Sequence, residues 1–295
     1  MPTTHTRPKN LNITKNSFLI VAGTSKAGTT SLHNWLSHHP QLGSSKTKET
    51  RFFLTDNYPV PKPKGIGTQL SDYANYFKKE DISQNSMLLE STPDYLYGAN
   101  PNAIKRMLPK SKVIIILRDP TDRFVSWYKY ALQRSFIDSD CTLKQFFELQ
   151  SNDYSLNYPI YRYALEQGNY TSYIDSFKTV YGDDLLVLNF NELANQPLAL
   201  IQKVCTFANI NSNYYTNYVF ETKNKSATLK YPLLEKYYII IRRTIAYHIL
   251  SRPLLLALFR KINQPIKILL SKNRQAINQN TISKEHLALI KEYYR

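Results

Sequence analysis

Lys26 lies between two glycines, Gly23 and Gly28, in the run G-T-S-K-A-G-T-T-S-L, and a cation held in a tight glycine-bracketed turn suits an anionic ligand. Ser25, Ala27, Thr29, Thr30 and Ser31 surround it with backbone N–H groups and hydroxyls. Phe18 to Ala22 form an apolar run of strand length, and Leu32, Trp35 and Leu36 recur at helical spacing. The pattern predicts strand, loop, helix. At the start of such a helix the peptide N–H groups lack intrahelical partners and the macrodipole adds partial positive charge, so phosphate or sulfate fits there. The spacing G-x-x-x-x-G begins like a Walker A loop, but Thr29 and Thr30 stand where that motif has Lys-Ser or Lys-Thr. Lys26 is placed instead to reach the bridging oxygen or sulfuryl group of a ligand whose other oxygens rest on the Ala27 to Ser31 amides. An ordinary nucleoside-triphosphate hydrolase is the poorer reading, and a glycine turn with no ligand is the plain alternative.

Two further groups carry chemistry. The run V-I-I-I-L at Val113 to Leu117 is too apolar for a one-sided sheet and predicts a buried parallel strand; it leads into R-D-P-T-D-R-F-V-S-W-Y. Arg118 at the strand end offers a planar fork of donors to a phosphate, and the Ser126 hydroxyl on the next helix can donate to the same group. In open parallel sheets ligands sit beyond the carboxyl ends of the strands, where Gly28 and Arg118 both fall. A salt bridge to a core carboxylate is the alternative for Arg118, and a structural ion pair competes for Arg123. The loop after the first helix carries K-T-K-E-T-R-F-F, in which Glu49 is either an exposed carboxylate or a base.

Together G-x-x-K-x-G-T-T-x-L, R-D-P-x-x-R-x-x-S-x-Y and K-E-x-x-F-F resemble, in type, spacing and order, the signatures of the sulfotransferase family. The resemblance covers about Ser17 to Ile210. It implies an α/β fold with a central parallel sheet and flanking helices, of P-loop-kinase-like architecture. The donor would be 3′-phosphoadenosine 5′-phosphosulfate (PAPS), the product adenosine 3′,5′-bisphosphate, and no metal would be needed. Residues Ser25 to Ser31 would hold the 5′-phosphosulfate, and Arg118 with Ser126 the 3′-phosphate. Lys26 would stabilise the leaving phosphate and Glu49 would take the acceptor proton. The K-E-x-x-F-F element is similar to that of the carbohydrate-sulfating branch. The chain lacks the histidine that follows the third strand in the phenol and steroid branch, and has Ser31-Leu32 where that branch has tryptophan. Arg51 replaces the histidine often found two residues after the glutamate in heparan-type enzymes, which bears on acceptor choice. Asn224-Lys225-Ser226 resembles a family segment that closes over the nucleotide, in a C-terminal region with no secure match otherwise. Glu90, in E-S-T-P-D-Y, is the second candidate for the base.

The whole chain fits these elements. Its 295 residues, 42% hydrophobic and 20% charged, can bury a large core. The net charge is +16, and 14 Lys or Arg against 3 Asp or Glu between Asn224 and Arg295 place +11 of it in the last quarter. Such a surface favours anionic partners: a nucleotide, an anionic glycan, nucleic acid or anionic lipid. With the family resemblance, the expected partners are the nucleotide donor and a hydroxylated glycan or glycolipid, with no nucleic acid and with peripheral membrane contact through the basic C-terminal helices. Rival readings are a nucleotide kinase and a non-catalytic binder of polyanions or anionic membrane. The kinase reading lacks its lysine directly after Gly28. The expected organisation is a flexible segment 1–16, an α/β core 17–223 and a basic helical region 224–295 packed on it. No run approaches the roughly 20 apolar residues of a membrane span, and neither signal segment nor anchor is evident, so the sequence as given reads as cytoplasmic. Cys141 and Cys205 read as reduced core residues, and His33, His38 and His39 as surface positions without the ligands of a metal set. Pro and Lys between Tyr58 and Gly67 predict a surface loop and an acceptor lid. Strands at Met87–Ser91 and Leu185–Phe190, and helices at Asn102–Leu108, Ile174–Tyr181 and Leu198–Ala208, complete the expected core.

Overall fold

The computed structural model describes residues 13–60, 62, 68–85, 87–134, 136–138, 140–151, 160–221 and 282–295, with isolated positions between 228 and 275. Most of the acceptor-lid loop, Asn224-Lys225-Ser226 and the bulk of the C-terminal helical region lie outside the described residues. By internal contacts the chain divides into two compact units, residues 1–119 with 169–223, and residues 120–168 with 224–295.

The first unit is built on a five-stranded, all-parallel sheet: β1 (Ser17–Gly23), β2 (Leu42–Ser44), β3 (Met87–Ser91), β4 (Ser111–Leu117) and β5 (Leu185–Asn189), in the order β2-β3-β1-β4-β5. β1 lies at the centre, with Phe18 beside Leu88 of β3 and Ser111 of β4. Leu19 to Ala22 and Val113 to Ile116 are fully buried, as strands covered on both faces require. β5 is an edge and leaves Val187 40% exposed. The three residues of β2 form the other edge, too short to stand out in the sequence.

The helices follow their local signals. α1 (Thr29–Ser37) starts after Gly28, which takes φ +84°, and buries Leu32, Trp35 and Leu36. α2 (Leu70–Ala74) buries Tyr73 and ends before Tyr76 and Phe77. α3 (Lys79–Gln84) and α4 (Tyr95–Gly98) flank β3 in sequence. α5 (Pro101–Met107) has proline at its first position, and the Asn100 side chain accepts from the amides of Asn102 and Ala103 at 2.9 and 3.3 Å. We label the helix Pro120–Gln133 α6 and Leu143–Ser151 α7; both belong to the second unit. α8 (Tyr170–Tyr181) buries Ile174, Phe177 and Tyr181 and stops at Gly182, φ +49°. α9 (Phe190–Asn195) begins where the strand pattern was expected to end, because Asn189 caps it through the Asn191 amide at 2.8 Å. α10 (Pro197–Ala208) buries Leu200, Ile201, Val204, Cys205 and Ala208 against the sheet core.

His39 contradicts its surface assignment. It is 2% exposed, with Nε2 donating to the Asn211 carbonyl at 2.8 Å and Nδ1 accepting from the Gln41 amide at 3.2 Å. Both ring nitrogens are satisfied by backbone, which makes its burial tolerable. Cys205 is in the core, whereas Cys141 is only half-buried; both are free.

In the second unit, α6, α7 and the C-terminal helix α11 (Lys284–Tyr293) share a core of Phe124, Trp127, Phe146, Tyr161 and Ile290. Arg123 is fully buried and donates to the Ala164 carbonyl at 2.9 Å and the Gln167 side-chain oxygen at 3.1 Å. That is a structural role for the second arginine of the motif. Thr228–Leu229 and Arg274–Gln275 form a short antiparallel pair.

Candidate active site

β1 ends at Gly23, and its loop is tied down before the helix begins. The Thr24 amide donates to the Ile116 carbonyl of β4 at 2.9 Å, its hydroxyl pairs with that of Tyr97, and the Ala27 amide donates back to Thr24 at 3.2 Å. The Ser31 and Leu32 amides both use the Gly28 carbonyl, at 2.9 and 3.1 Å. The helix geometry therefore leaves the Thr29 and Thr30 amides without an acceptor inside α1, while Ala27 and Ser31, also expected to face a ligand, already donate within the loop. Lys26 holds a left-handed backbone at φ +72°, and a Cβ on Gly28 would meet Leu193 and Phe190 of α9 at 3.1 and 3.2 Å. Ser25, Lys26 and Thr30 are half-buried; Ala27, Thr29 and Ser31 are buried.

Arg118 follows β4 directly and meets this loop. Its Nη1 donates to the Lys26 carbonyl at 3.3 Å, its guanidinium lies 4.5 Å from the centre of the Phe190 ring, and its own carbonyl accepts from the Tyr170 hydroxyl at 2.8 Å. The sheet order reverses at β1 and β4, so Lys26 and Arg118 occupy the crevice beyond the strand ends at the switch point. Ser126 is half-buried on α6, in the second unit.

Beyond β2 and β3 lies a second set of ionisable groups. Glu49 is 37% exposed and accepts from Lys48 Nζ at 3.1 Å and from Arg51 Nη2 at 3.4 Å. Burial acts to raise its pKa, but the two cations prevail and hold it below the ordinary carboxylate value. Glu49 is thus an ionised, solvent-reachable acceptor. His33, one turn into α1, shares a 2.8 Å hydrogen bond between Nδ1 and the Ser91 hydroxyl; burial and then the charge of Lys48 push its pKa down to about 4, against the opposing pull of Glu49. His33 is therefore neutral and ties the donor-loop helix to β3, within the field of Lys48 and Glu49, a half-buried placement its surface assignment missed. Asp94 is raised to about 6 by burial and the Glu49 charge, and accepts from the Tyr58 hydroxyl at 3.3 Å. Glu90 is fully buried, so it cannot meet an acceptor as an alternative base. The expected histidine-free, carboxylate-bearing loop had a sequence signal in K-E-x-x-F-F; Phe190 and His33 had none, because each acts through a neighbour distant in sequence.

A parallel α/β sheet with a glycine-bracketed, lysine-bearing loop and helix start at its switch point is an arrangement suited to a phosphate-like anion. More narrowly, the chain belongs to the sulfotransferase family, whose sulfotransferase domain matches residues 17–244. It is 29% identical over 206 residues to the bifunctional heparan sulfate N-deacetylase/N-sulfotransferase 4 of Mus musculus, covering 66% of this chain and 22% of that protein. The corresponding enzyme 2 of Homo sapiens is 30% identical over 205 residues, covering 65% and 22%. The membrane-associated sulfotransferase kil1 of Dictyostelium discoideum is 35% identical over 118 residues, covering 39% and 23%. The chain thus spans under a quarter of the length of these relatives. The fold is shared with a crystal structure of a sulfotransferase from Alicyclobacillus acidocaldarius, at a TM-score of 0.59, 20% identity and coverage of 83% of this chain and 99% of that one. Among the described residues there is no group of three His, Cys, Asp or Glu able to hold a metal, and no helix long and apolar enough to cross a membrane.

Proposed function

We propose that the chain transfers a sulfuryl group from PAPS to a carbohydrate or glycolipid acceptor. The observation that carries this reading is the pairing of the Lys26 loop with Arg118 at one end of the sheet, with an ionised carboxylate, Glu49, on the loop beyond β2. In the reaction the acceptor oxygen forms a bond to sulfur as the bond from sulfur to the bridging oxygen of the donor breaks. The acceptor proton passes to Glu49, and adenosine 3′,5′-bisphosphate leaves. Because charge stays on oxygens throughout, positioning and fixed positive charge do most of the work, as in phosphoryl transfer. Lys26 meets the charge developing on the leaving phosphate, and Arg118 takes up the 3′-phosphate. The relatives named as heparan sulfate enzymes support a glycan acceptor, and their N-sulfotransferase names add an amino-sugar nitrogen to the hydroxyl as the atom sulfated. The test is transfer of labelled sulfate from PAPS to a panel of hydroxylated glycans, amino-sugar glycans, glycolipids and phenols. Transfer confined to the carbohydrate members is the expected result; transfer to phenols alone contradicts the acceptor, and no transfer contradicts the activity.

A further inference from the structure

Glu90 is the most deeply buried carboxylate of the first unit, and it is the end point of a directed chain of hydrogen bonds that begins in the Glu49 loop. Three successive amides of that loop are each taken up by a hydroxyl: Arg51 N–H by Thr92 at 3.2 Å, Phe52 N–H by Thr50 at 3.3 Å, and Phe53 N–H by Tyr95 at 3.3 Å. Both threonine hydroxyls then donate to the same carboxylate oxygen, Glu90 Oε1, Thr50 at 3.0 Å and Thr92 at 2.5 Å. With its single proton committed to Glu90, Thr50 accepts from Tyr95, whose hydroxyl lies 3.0 Å away. Every donor in the set points toward Glu90. The loop also includes Arg51 at φ +58°, a conformation a non-glycine residue holds only when its surroundings impose it.

We propose that Glu90 is a positioning residue that fixes the 49–53 segment, and with it the Glu49 carboxylate, by serving as the common acceptor for Thr50 and Thr92. The inference that this placement serves turnover rests on the reading of Glu49 as the base. Burial, opposed by the hydrogen bonds of Thr92 and Thr50, pushes the Glu90 pKa up to about 7, so a proton resides on the carboxyl through the acidic range while Oε1 still accepts. What the segment needs from position 90 is an acceptor oxygen, not a charge.

The substitutions that separate these are Glu90→Gln, which keeps the acceptor, and Glu90→Leu, which removes it at similar size. Amide hydrogen exchange of the full chain is compared at one pH. Glu90→Leu is expected to speed exchange at Arg51, Phe52 and Phe53 at least tenfold, and Glu90→Gln to stay within about threefold of the parent. Thr50→Val, a milder change that removes one arm and leaves the sheet intact, should speed exchange at Phe52 and Phe53, with Thr50→Ser restoring it. Unchanged exchange at 51–53 in Thr50→Val, or Glu90→Gln as fast as Glu90→Leu, overturns the proposal. Turnover is measured on the same variants: faster exchange at 51–53 with full turnover would support the anchoring and refute its service to turnover, whereas Glu49→Gln tests the base itself, so the two failures are distinct.

Discussion

The guanidinium of Arg118 donates to the carbonyl of Lys26 at 3.3 Å, so the residue expected to read the 3′-phosphate also braces the loop expected to hold the sulfuryl end. Its stack on Phe190 fixes the plane of the fork. Charge-assisted hydrogen bonds each contribute about 1.5 to 3 kcal/mol, so Arg118→Ala should weaken adenosine 3′,5′-bisphosphate binding roughly tenfold or more. Arg118→Lys should recover only part, since an ammonium lacks both fork and stacking face. Calorimetry checks this, and equal affinity of the parent for AMP and the bisphosphate would sink the donor assignment.

The loop itself tolerates little. Gly28 combines φ +84° with aromatic and aliphatic contacts that a methyl would crowd at 3.1 to 3.2 Å. Gly28→Ala should lower stability by about 1 to 2 kcal/mol and reduce donor affinity, whereas Lys26→Ala should spare the melting temperature while impairing turnover and donor binding together. Thermal melts paired with titration separate the two; a Gly28→Ala protein with the parent's melting point contradicts the packing argument.

Glu49 is tested by a change that keeps its shape. Glu49→Gln should cut turnover by about 10²- to 10⁴-fold, the usual worth of a general base, with bisphosphate affinity nearly unchanged. Steady-state rates on the accepted substrate decide it, and retention of most activity places the base elsewhere. Glu90 is not the replacement, because no acceptor can reach it.

Stability should depend on pH in a direction set by the buried acids. Between the ordinary value of 4.5 and about 7, folded Glu90 keeps a proton that the unfolded chain has released, so stability falls as pH rises through that window. Asp94, raised to about 6, acts in the same sense. Glu49 acts oppositely: its contribution is present above the ordinary value and is lost as pH falls through its lowered one. The Glu90 part amounts to at most about 3 kcal/mol. Melting temperatures measured from about pH 5 to 7.5 should fall less steeply in Glu90→Gln than in the parent, and identical slopes would contradict the shift.

The concentration of +11 between Asn224 and Arg295 predicts salt-sensitive acceptor kinetics. Apparent KM should rise with ionic strength while donor KM changes less. Strong flotation with anionic vesicles combined with salt-insensitive acceptor kinetics would favour a lipid surface as the partner of that region.

The sheet was legible wherever a strand is buried on both faces: Phe18 to Ala22 and Val113 to Leu117 have no polar residue to hide them. The edge strand at Leu42–Ser44 was not, because three residues with a glycine in the middle show no period. The Lys26 loop could be read because the glycine spacing records its backbone geometry, with Gly28 at φ +84°. The surroundings of Glu49 were less readable. His33 owes its position to Ser91, 58 residues on, and the Thr50 and Thr92 hydroxyls matter only because Glu90 lies between them. His39 was misassigned for the same reason: its acceptor, the Asn211 carbonyl, is 172 residues away.

The central place of β1 has a consequence for how the chain is made. Of the five strands it leaves the ribosome first, yet Ser17 must wait for Met87, and Phe18 for Ser111, before either edge is covered. At roughly 5 to 20 residues per second, the β3 flank stays open for about 4 to 14 seconds of synthesis and the β4 flank for about 5 to 19. During that interval F-L-I-V-A is a bare apolar strand, the kind of segment that pairs with other nascent chains or recruits a chaperone. A product released before Leu117 lacks one complete neighbour of its middle strand, so premature termination anywhere in the first third should yield aggregate instead of a partly folded domain.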